Sequence, residues 1–265
     1  MRQFAARAAA LVVMTCGASA LQAATILVGG SVNNGNLDRT YAQEIVQGFF
    51  LPKPQIWANV GTRAITGPYE DEMSSEPWAG PAPTPVTTDG NFNPPHPEGC
   101  GGPDCAVFFK PFSGNTANGA ATGHLFQDVA GTPGLLYTMT GWAGAEANAL
   151  MAGAEFAIEF LGAGDLLISS VVLDLLPTLK TANGLAFSYK EYTLSGTAPA
   201  GTVEVRIRAS MINATANPAG GGQAFVVDDF TLTSDSSSVP EPGTIALLGL
   251  GLAGLAAARR RRRRR

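Results

Sequence analysis

The sequence contains few of the side chains that usually carry catalysis. Its 265 residues include two histidines, His96 and His124, and three cysteines, and 14% of its residues are charged. Neither histidine lies beside a nucleophile motif such as Gly-x-Ser-x-Gly. We therefore predict that the protein is not an enzyme. The acids Glu70, Asp71, Glu72 and Glu76 are interpreted as solvated surface. The alternative is a glycosidase, because the separation of two carboxylates is set by the fold and not by the sequence pattern.

Positive charge is scarce in the middle of the chain. Nine of the 17 lysines and arginines lie at the two ends, as Arg2, Arg7 and the block 259–265, whereas only Glu241 of the 21 acids lies there. Residues 21–238 therefore hold 8 basic and 20 acidic side chains, a formal charge of −12. This charge repels phosphate backbones, so we exclude nucleic acid as a partner. It would suit divalent cations, although solubility alone also explains it.

Residues 1–20 have the pattern of a secretory signal peptide. Arg2 and Arg7 flank the start of the segment, an apolar run covers 8–14, and small residues end it at Ala20. Positive charge, a short apolar core and a small-residue cleavage site define such peptides. We predict an exported chain that is cleaved after Ala20.

Cleavage leaves two cysteines, Cys100 and Cys105, in the motif Cys-Gly-Gly-Pro-Asp-Cys. Two cysteines in an exported chain most simply pair, so we predict a disulfide that shapes this short loop. The alternative is a zinc site, which would need two further ligands, and only His96 lies nearby in the sequence.

The chain ends in three distinct segments. Pro240, Glu241 and Pro242 come first, an uncharged run of 16 residues covers 243–258, and seven arginines fill 259–265. As a helix the apolar run would span about 24 Å, close to the hydrocarbon core of a bilayer. Arginines stay on the cytoplasmic side, so we predict one transmembrane helix with the body outside.

The order of these segments, over residues 239–265, resembles the PEP-CTERM sorting signal of Gram-negative bacteria. The resemblance implies an exosortase-type membrane protease as partner, which removes the tail from a single-pass inner-membrane intermediate. It implies a final place at the cell surface or in the extracellular matrix, with a link to exopolysaccharide and biofilm. A permanent single-pass anchor is the alternative.

Residues 21–233 alternate between apolar and polar side chains, which is typical of strands with one buried face. Phe156, Ile158 and Phe160 oppose two glutamates, and the odd positions of 203–211 are apolar. We predict an all-β, antiparallel β-sandwich followed by a polar linker at 234–238. The Pro- and Gly-rich excursion 67–105 is predicted to hold no strand. Further strands are predicted at 25–28, 106–109, 124–129, 135–142, 166–176, 185–194 and 224–233, with one short helix at 38–50.

Several stretches of this body resemble the galactose-binding-like jelly roll of many carbohydrate-binding modules. They begin at Gly123 (Gly-His-Leu-Phe-Gln-Asp-Val), Thr132 (Thr-Pro-Gly-Leu-Leu-Tyr-Thr), Ala154 (Ala-Glu-Phe-Ala-Ile-Glu-Phe-Leu), Pro199 (Pro-Ala-Gly-Thr-Val-Glu-Val) and Val227 (Val-Asp-Asp-Phe). The resemblance implies a structural calcium ion held between the last strand and the first. The candidate ligands are Asp228 and Asp229, completed by Asp38 or by carbonyl groups of 28–31. A strand-end aspartate bonded to loop amides is the alternative.

Sugar binding would require aromatic side chains that stack on pyranose rings. Trp57, Tyr69, Trp78 and Phe92 lie in loop-rich sequence and are the candidates, whereas Trp142 lies in a predicted strand and is assigned to the core. Two functions follow. The first is an exported structural protein of the envelope or extracellular matrix, and the alternative is a lectin-like module that recognises a polysaccharide.

Overall fold

The computed structural model describes residues 24–46, 49–63, 73–76, 105–109, 119–182, 189–220 and 222–235, together with Leu252 and Arg259. Within these ranges the body is all-β, as predicted, and its one helix, α1, covers Leu176–Ala182. The strands are β1 Thr25–Val28, β2 Thr40–Val46, β3 Phe49–Pro54, β4 Ala58–Arg63, β5 Met73–Glu76, β6 Ala106–Phe109, β7 Ala121–Ala130, β8 Leu136–Ala145, β9 Gly153–Gly162, β10 Leu166–Asp174, β11 Lys190–Thr197, β12 Glu204–Ala214 and β13 Phe225–Ser234.

The strands form two antiparallel sheets and a hairpin. Sheet 1 has the order β11-β8-β13-β6-β5, with β1 also paired to β13. Sheet 2 has the order β10-β9-β12-β7-β4, and β2 pairs with β3 alone. Apart from the consecutive pairs β9–β10 and β5–β6, neighbours in the two sheets are not consecutive in the chain, because the chain crosses repeatedly from one sheet to the other.

The core lies between the two sheets. Phe156 of sheet 2 packs edge-on against Phe230 of sheet 1, with ring centroids 5.3 Å apart, and Phe160 packs against Tyr137 at 6.0 Å. All four side chains are buried. Large apolar side chains from one face of each sheet therefore hold the layers together, which is the packing of a β-sandwich.

The alternation predicted from the sequence is confirmed in the strands that form this core. Phe156, Ile158 and Phe160 of β9 are buried, as are the odd positions 205–211 of β12. Val203 is the exception at 48% exposure, because it precedes β12 and lies outside the core.

Two predictions about local structure are wrong. Within the segment 38–50, residues 40–46 form β2 and residues 49–50 begin β3, so paired strands replace the predicted helix, from Thr40 opposite Pro54 to Val46 opposite Phe49. Aromatic and β-branched side chains make up six of the 13 residues of this segment, and they favour strands over helices. The excursion 67–105 does contribute a strand, since Met73–Glu76 pairs with β6 at the edge of sheet 1.

The predicted targeting segments lie almost wholly outside the described residues. This applies to the signal peptide 1–20, to linker positions 236–238, and to the segment 243–258 apart from Leu252. No helix in the described part of the chain is both long enough and apolar enough to span a bilayer. The transmembrane helix and the domain boundaries therefore stay predictions.

Candidate functional site

The predicted calcium ligands of the last strand lie at a break in sheet 1. On one side of β13, strand β6 pairs with residues 225–227 and β1 pairs with residues 232–234. The loop after β1 reaches the interval between them, where Phe230 N donates a hydrogen bond to Gly35 O at 2.8 Å. A Cβ on Gly35 would lie 2.5 Å from Phe230 O, so this close approach requires glycine.

The β-bulge in this interval changes the predicted face of Asp228. The register of β13 against β8 shifts between Asp228 and Thr231, and Asp229 has a φ of 47°. As a result Phe230 lies in the core, whereas Asp228 lies opposite Trp142. Strict alternation along 226–232 predicts that Asp228 shares a face with Phe230, and this prediction is wrong because a bulge reverses the alternation of side chains.

Asn34 organises the loop that fills this interval. Its side chain is fully buried, and its Nδ2 donates to Arg39 O and to Gln55 O, both at 2.9 Å. Its Oδ1 accepts from Arg39 N at 2.9 Å, and its carbonyl oxygen accepts from Trp57 Nε1 at 2.9 Å. One asparagine therefore links the loop, the β2–β3 hairpin and an aromatic side chain of the core.

Three of the carboxylate oxygens expected to hold calcium act as hydrogen-bond acceptors: both oxygens of Asp38, and Oδ1 of Asp228, which accepts from Asp229 N. Asp38 Oδ1 accepts from Cys105 N at 3.0 Å, and its Oδ2 accepts from Asn36 Nδ2. Among the described residues no three histidine, cysteine, aspartate or glutamate side chains are grouped to hold a metal ion. Asp38, Asp228 and Asp229 are therefore not brought together as a set of three ligands.

The backbone carbonyls of the same loop are engaged in the same way. Gly29 O accepts from Val32 N, Gly30 O from Asn36 N, and Ser31 O from the guanidinium of Arg39. Protein donors, one of them cationic, thus occupy the carbonyl groups that a calcium ion would need. These hydrogen bonds argue against a calcium ion at this loop, and the calcium site stays a prediction.

Of the four aromatic residues predicted to stack on sugars, the structure describes one, Trp57, and this side chain does not lie on the surface. Trp57 is 5% exposed, and its ring packs on Phe230 with centroids 5.0 Å apart, so it belongs to the core. Trp142, assigned to the core, is instead half-buried on the outer face of sheet 1. Tyr69, Trp78 and Phe92 lie outside the described residues.

Two further predicted features also fall largely outside them. Cys105 is buried at the start of β6, but Cys100 is not described, so the disulfide stays a prediction. The sorting residues Pro240, Glu241 and Pro242 are not described either.

A cluster of polar side chains occupies the outer face of sheet 2. Register places Ser170, Glu159, Arg206 and Asp128 in one row across four strands. The next row holds Val172, Ala157, Arg208, Phe126 and Ala58, and the third holds Asp174, Glu155, Ser210, His124 and Val60. We call this surface the Arg208 face, defined by His124, Phe126, Asp128, Glu155, Glu159, Arg206, Arg208 and Ser210.

Arg208 lies at the centre of this face. Its Nε donates to Glu159 Oε1 at 2.8 Å, and its Nη1 lies 3.6 Å from Glu155 Oε2. Nη1 also donates to Ser210 Oγ and lies 3.4 Å from His124 Nδ1. Among the described residues, Nη2 of Arg208 has no hydrogen-bond partner. The guanidinium is therefore held in a fixed plane, and the two N–H donors of its Nη2 are not used by these bonds.

A second arginine lies beside the first on the same strand. Arg206 donates to both carboxylate oxygens of Asp128, at 2.7 and 2.8 Å, and its guanidinium lies 4.2 Å from the ring centroid of Phe126. The bond to Asp128 is the main reason that the pKa of Arg206 is raised. This bidentate pair fixes the second guanidinium over an aromatic ring.

His124 is the group on this face that responds to pH. Partial burial of the ring, and next the nearby charge of Arg208, lower the pKa of His124 below its ordinary value of 6.5, although Glu159 opposes the shift. The neutral ring is therefore favoured at pH 7. His124 Nδ1 lies 2.7 Å from Ser210 Oγ, which holds the ring against the sheet.

Sequence reasoning did not identify the Arg208 face, although one signal of it was present. Arg206, Arg208 and Ser210 alternate with buried residues of β12, so their outward direction was predictable. Their partners come from β7 and β9, about 80 and 50 residues away in the chain, and were set by strand register.

Comparison with known proteins identifies the C-terminal segment. Residues 238–263 match the PEP-CTERM protein-sorting motif. No curated protein matches the chain in sequence.

Several solved structures resemble the body. One is the enzymatically active domain of bacteriophage CBA120 tailspike protein 4, with 13% identity and a TM-score of 0.41 over 68% of this chain and 19% of that one. Another is TmCBM61 in complex with β-1,4-galactotriose, with 16% identity and a TM-score of 0.34 over 67% and 88% of the two chains. The tandem CBM22 domain of Paenibacillus barcinonensis Xyn10C has 12% identity and a TM-score of 0.36 over 74% and 50%.

This chain thus spans about a fifth of the tailspike domain, and every one of these TM-scores is below 0.5. The assignment of a site therefore depends on the geometry of the Arg208 face. The C-terminal match is of a different kind, because it concerns a sorting signal, and such a signal implies an exported protein. The chain carries a PEP-CTERM protein-sorting motif at the end of an all-β body.

Proposed function

We propose that this protein is an exported, non-catalytic module that binds a polysaccharide of the extracellular matrix through the Arg208 face. In this proposal the signal peptide directs export, the 243–258 helix holds the chain in the inner membrane, and an exosortase removes the tail near Pro240-Glu-Pro. The mature body then associates with exopolysaccharide at the cell surface.

The observation that carries the binding proposal is the fixed guanidinium of Arg208. Sugar hydroxyls are both donors and acceptors, so a sugar site needs preorganised groups of both kinds beside an apolar surface. Arg208 Nη2 offers donors, the carboxylates of Glu155 and Glu159 offer acceptors, and the side chains of Phe126 and Val172 lie in the same row as Arg208.

Burial on this face supports binding over simple solvation. The side chains of Arg208 and Glu159 are 16% and 14% exposed, so most of the ordering entropy is already lost in the free protein. Preorganised groups bind with a smaller entropic cost.

The carboxylates of Glu155 and Glu159 both contact Arg208. We assign them the role of accepting hydrogen bonds from sugar hydroxyl groups, without cleavage of a glycosidic bond. An assay for release of reducing sugar from any polysaccharide that binds would test that part, and measurable release would contradict it.

The direct test is a glycan array followed by calorimetry with a polysaccharide that binds. Arg208→Ala should weaken binding about 10- to 100-fold, because hydrogen bonds from a charged donor contribute about 1.5–3 kcal/mol. Arg208→Lys, which keeps the charge but not the planar donor pair, should also weaken it. Arg39→Ala, an exposed arginine between β1 and β2 that is not part of the Arg208 face, is the matched control. Unchanged affinity in both Arg208 variants would refute the proposed site.

Processing of the tail is tested separately by mass spectrometry of the mature protein. We expect an N-terminus after Ala20 and loss of the arginine block 259–265. A full-length chain found soluble inside the cell, with its arginines intact, would contradict export and sorting.

A further inference from the structure

Charge on the outer face of sheet 2 is strongly unbalanced. Five carboxylates lie on it in register, whereas Arg206 and Arg208 are its two cations among the described residues. With His124 neutral, these side chains carry a formal charge of −3. The carboxylates are Asp128, Glu155, Glu159, Asp174 and Glu204.

Each guanidinium is already paired with carboxylates of the protein. Asp128 bonds Arg206 through both of its oxygens, at 2.7 and 2.8 Å. Arg208 has Glu159 at 2.8 Å and Glu155 at 3.6 Å, so two negative groups surround one positive group. A ligand carboxylate could pair with Arg208 only by displacing a protein carboxylate or by lying next to it.

The same arrangement suits uncharged sugars. A hydroxyl pair can donate to Glu155 or Glu159 and accept from Arg208 Nη2 without adding charge to the face. Hydrogen bonds to ionised groups are stronger than neutral ones, so the carboxylates contribute affinity as well as repulsion. The net charge of −12 over residues 21–238 adds repulsion of anionic polymers at longer range.

We infer that the Arg208 face selects uncharged polysaccharides and rejects those built from uronic acids, and that Glu155 and Glu159 enforce this selection. The inference depends on the proposed function, because it concerns the ligand of the same site. Specificity here comes from a repulsive element as well as from attractive contacts.

The experiment uses the mature protein on an array that holds neutral polysaccharides, uronic acid polysaccharides and the carboxyl-reduced products of the latter. We expect binding to neutral or carboxyl-reduced members and none to the parent uronates at low salt. Binding of a uronate as tightly as its reduced product would overturn the inference and leave the proposed function standing. If no polysaccharide on the array binds, the proposed function is refuted, and the inference with it.

A pair of variants identifies the residues responsible. In Glu155→Gln/Glu159→Gln, uronate binding should rise about tenfold relative to neutral binding, since two nearby charges of the same sign are removed. The matched control, Glu191→Gln/Asp235→Asn, removes two exposed acids outside the Arg208 face. It should leave the ratio unchanged. An equal rise in the control would assign rejection to net charge and overturn the role of the two glutamates. Unfolding temperatures of all variants confirm that each is folded.

Discussion

Gly141 lies beneath the aromatic centre of the core, and its replacement by alanine should be costly. A Cβ at this position would lie 2.6 and 2.7 Å from two carbons of the Phe230 ring and 3.0 Å from Phe156 Cε2. Phe230 has little freedom to move, because Trp57 packs on one part of its ring and Phe156 on another. Overpacking of a dense core costs about 1–3 kcal/mol, so we expect Gly141→Ala to lower the free energy of unfolding by about that amount.

The assay is urea denaturation followed by tryptophan fluorescence, since Trp57 reports on the same cluster. The matched control is Gly153→Ala, also in a strand, where the new Cβ would meet Ile212 Cδ1 at an ordinary 3.4 Å. That change should be neutral or stabilising by up to about 1 kcal/mol, because alanine restricts the unfolded chain. Adding Phe230→Leu to Gly141→Ala should recover part of the loss. If Gly141→Ala is as stable as Gly153→Ala, the packing argument is wrong.

Three further predictions concern the loop and the polar face. Asn34→Ala should lower the free energy of unfolding by roughly 3 kcal/mol in urea denaturation, since it removes three hydrogen bonds to partly buried backbone groups. The exposed Asn33→Ala, also at positive φ, should lower it by about 1 kcal/mol or less. Because the pKa of His124 is below 6.5 in the folded state, the unfolded chain binds the proton more readily. Stability should therefore fall as pH drops from 6.5 through the lowered pKa, and His124→Gln should reduce that fall; an identical pH dependence in the variant would contradict this. Because protein donors bond the loop oxygens, EDTA should leave the unfolding temperature unchanged. A clear decrease in the unfolding temperature that added calcium reverses would contradict this and support a bound calcium ion.

Local patterns in the sequence were sufficient for the strands that form the core. The side of a strand on which a residue lies depends only on its position in the alternation, so Phe156, Ile158 and Phe160 could be assigned correctly to the core. The sorting motif was equally accessible, because a signal read as linear peptide needs no fold. Residues 238–263 match it, close to the predicted 239–265.

The predictions that failed depended on contacts between distant segments. The four-residue spacing of Tyr41, Ile45 and Phe49 is compatible with a helix, but pairing between 40–46 and 49–54 favoured two strands. Trp57 lies in loop-like sequence, yet it is buried because Phe230 and Asn34 O meet it there.

The sequence by itself determined that this chain is exported, all-β in its body and acidic, because composition, alternation and terminal signals are properties of short segments. Tertiary structure decided the face of Asp228, through a bulge, and the partners of Arg208, through the register of three strands. The physical reason is that a strand's register is fixed by the burial of the whole sheet. A shift of the pairing register by one residue would move every side chain of the strand to the opposite face.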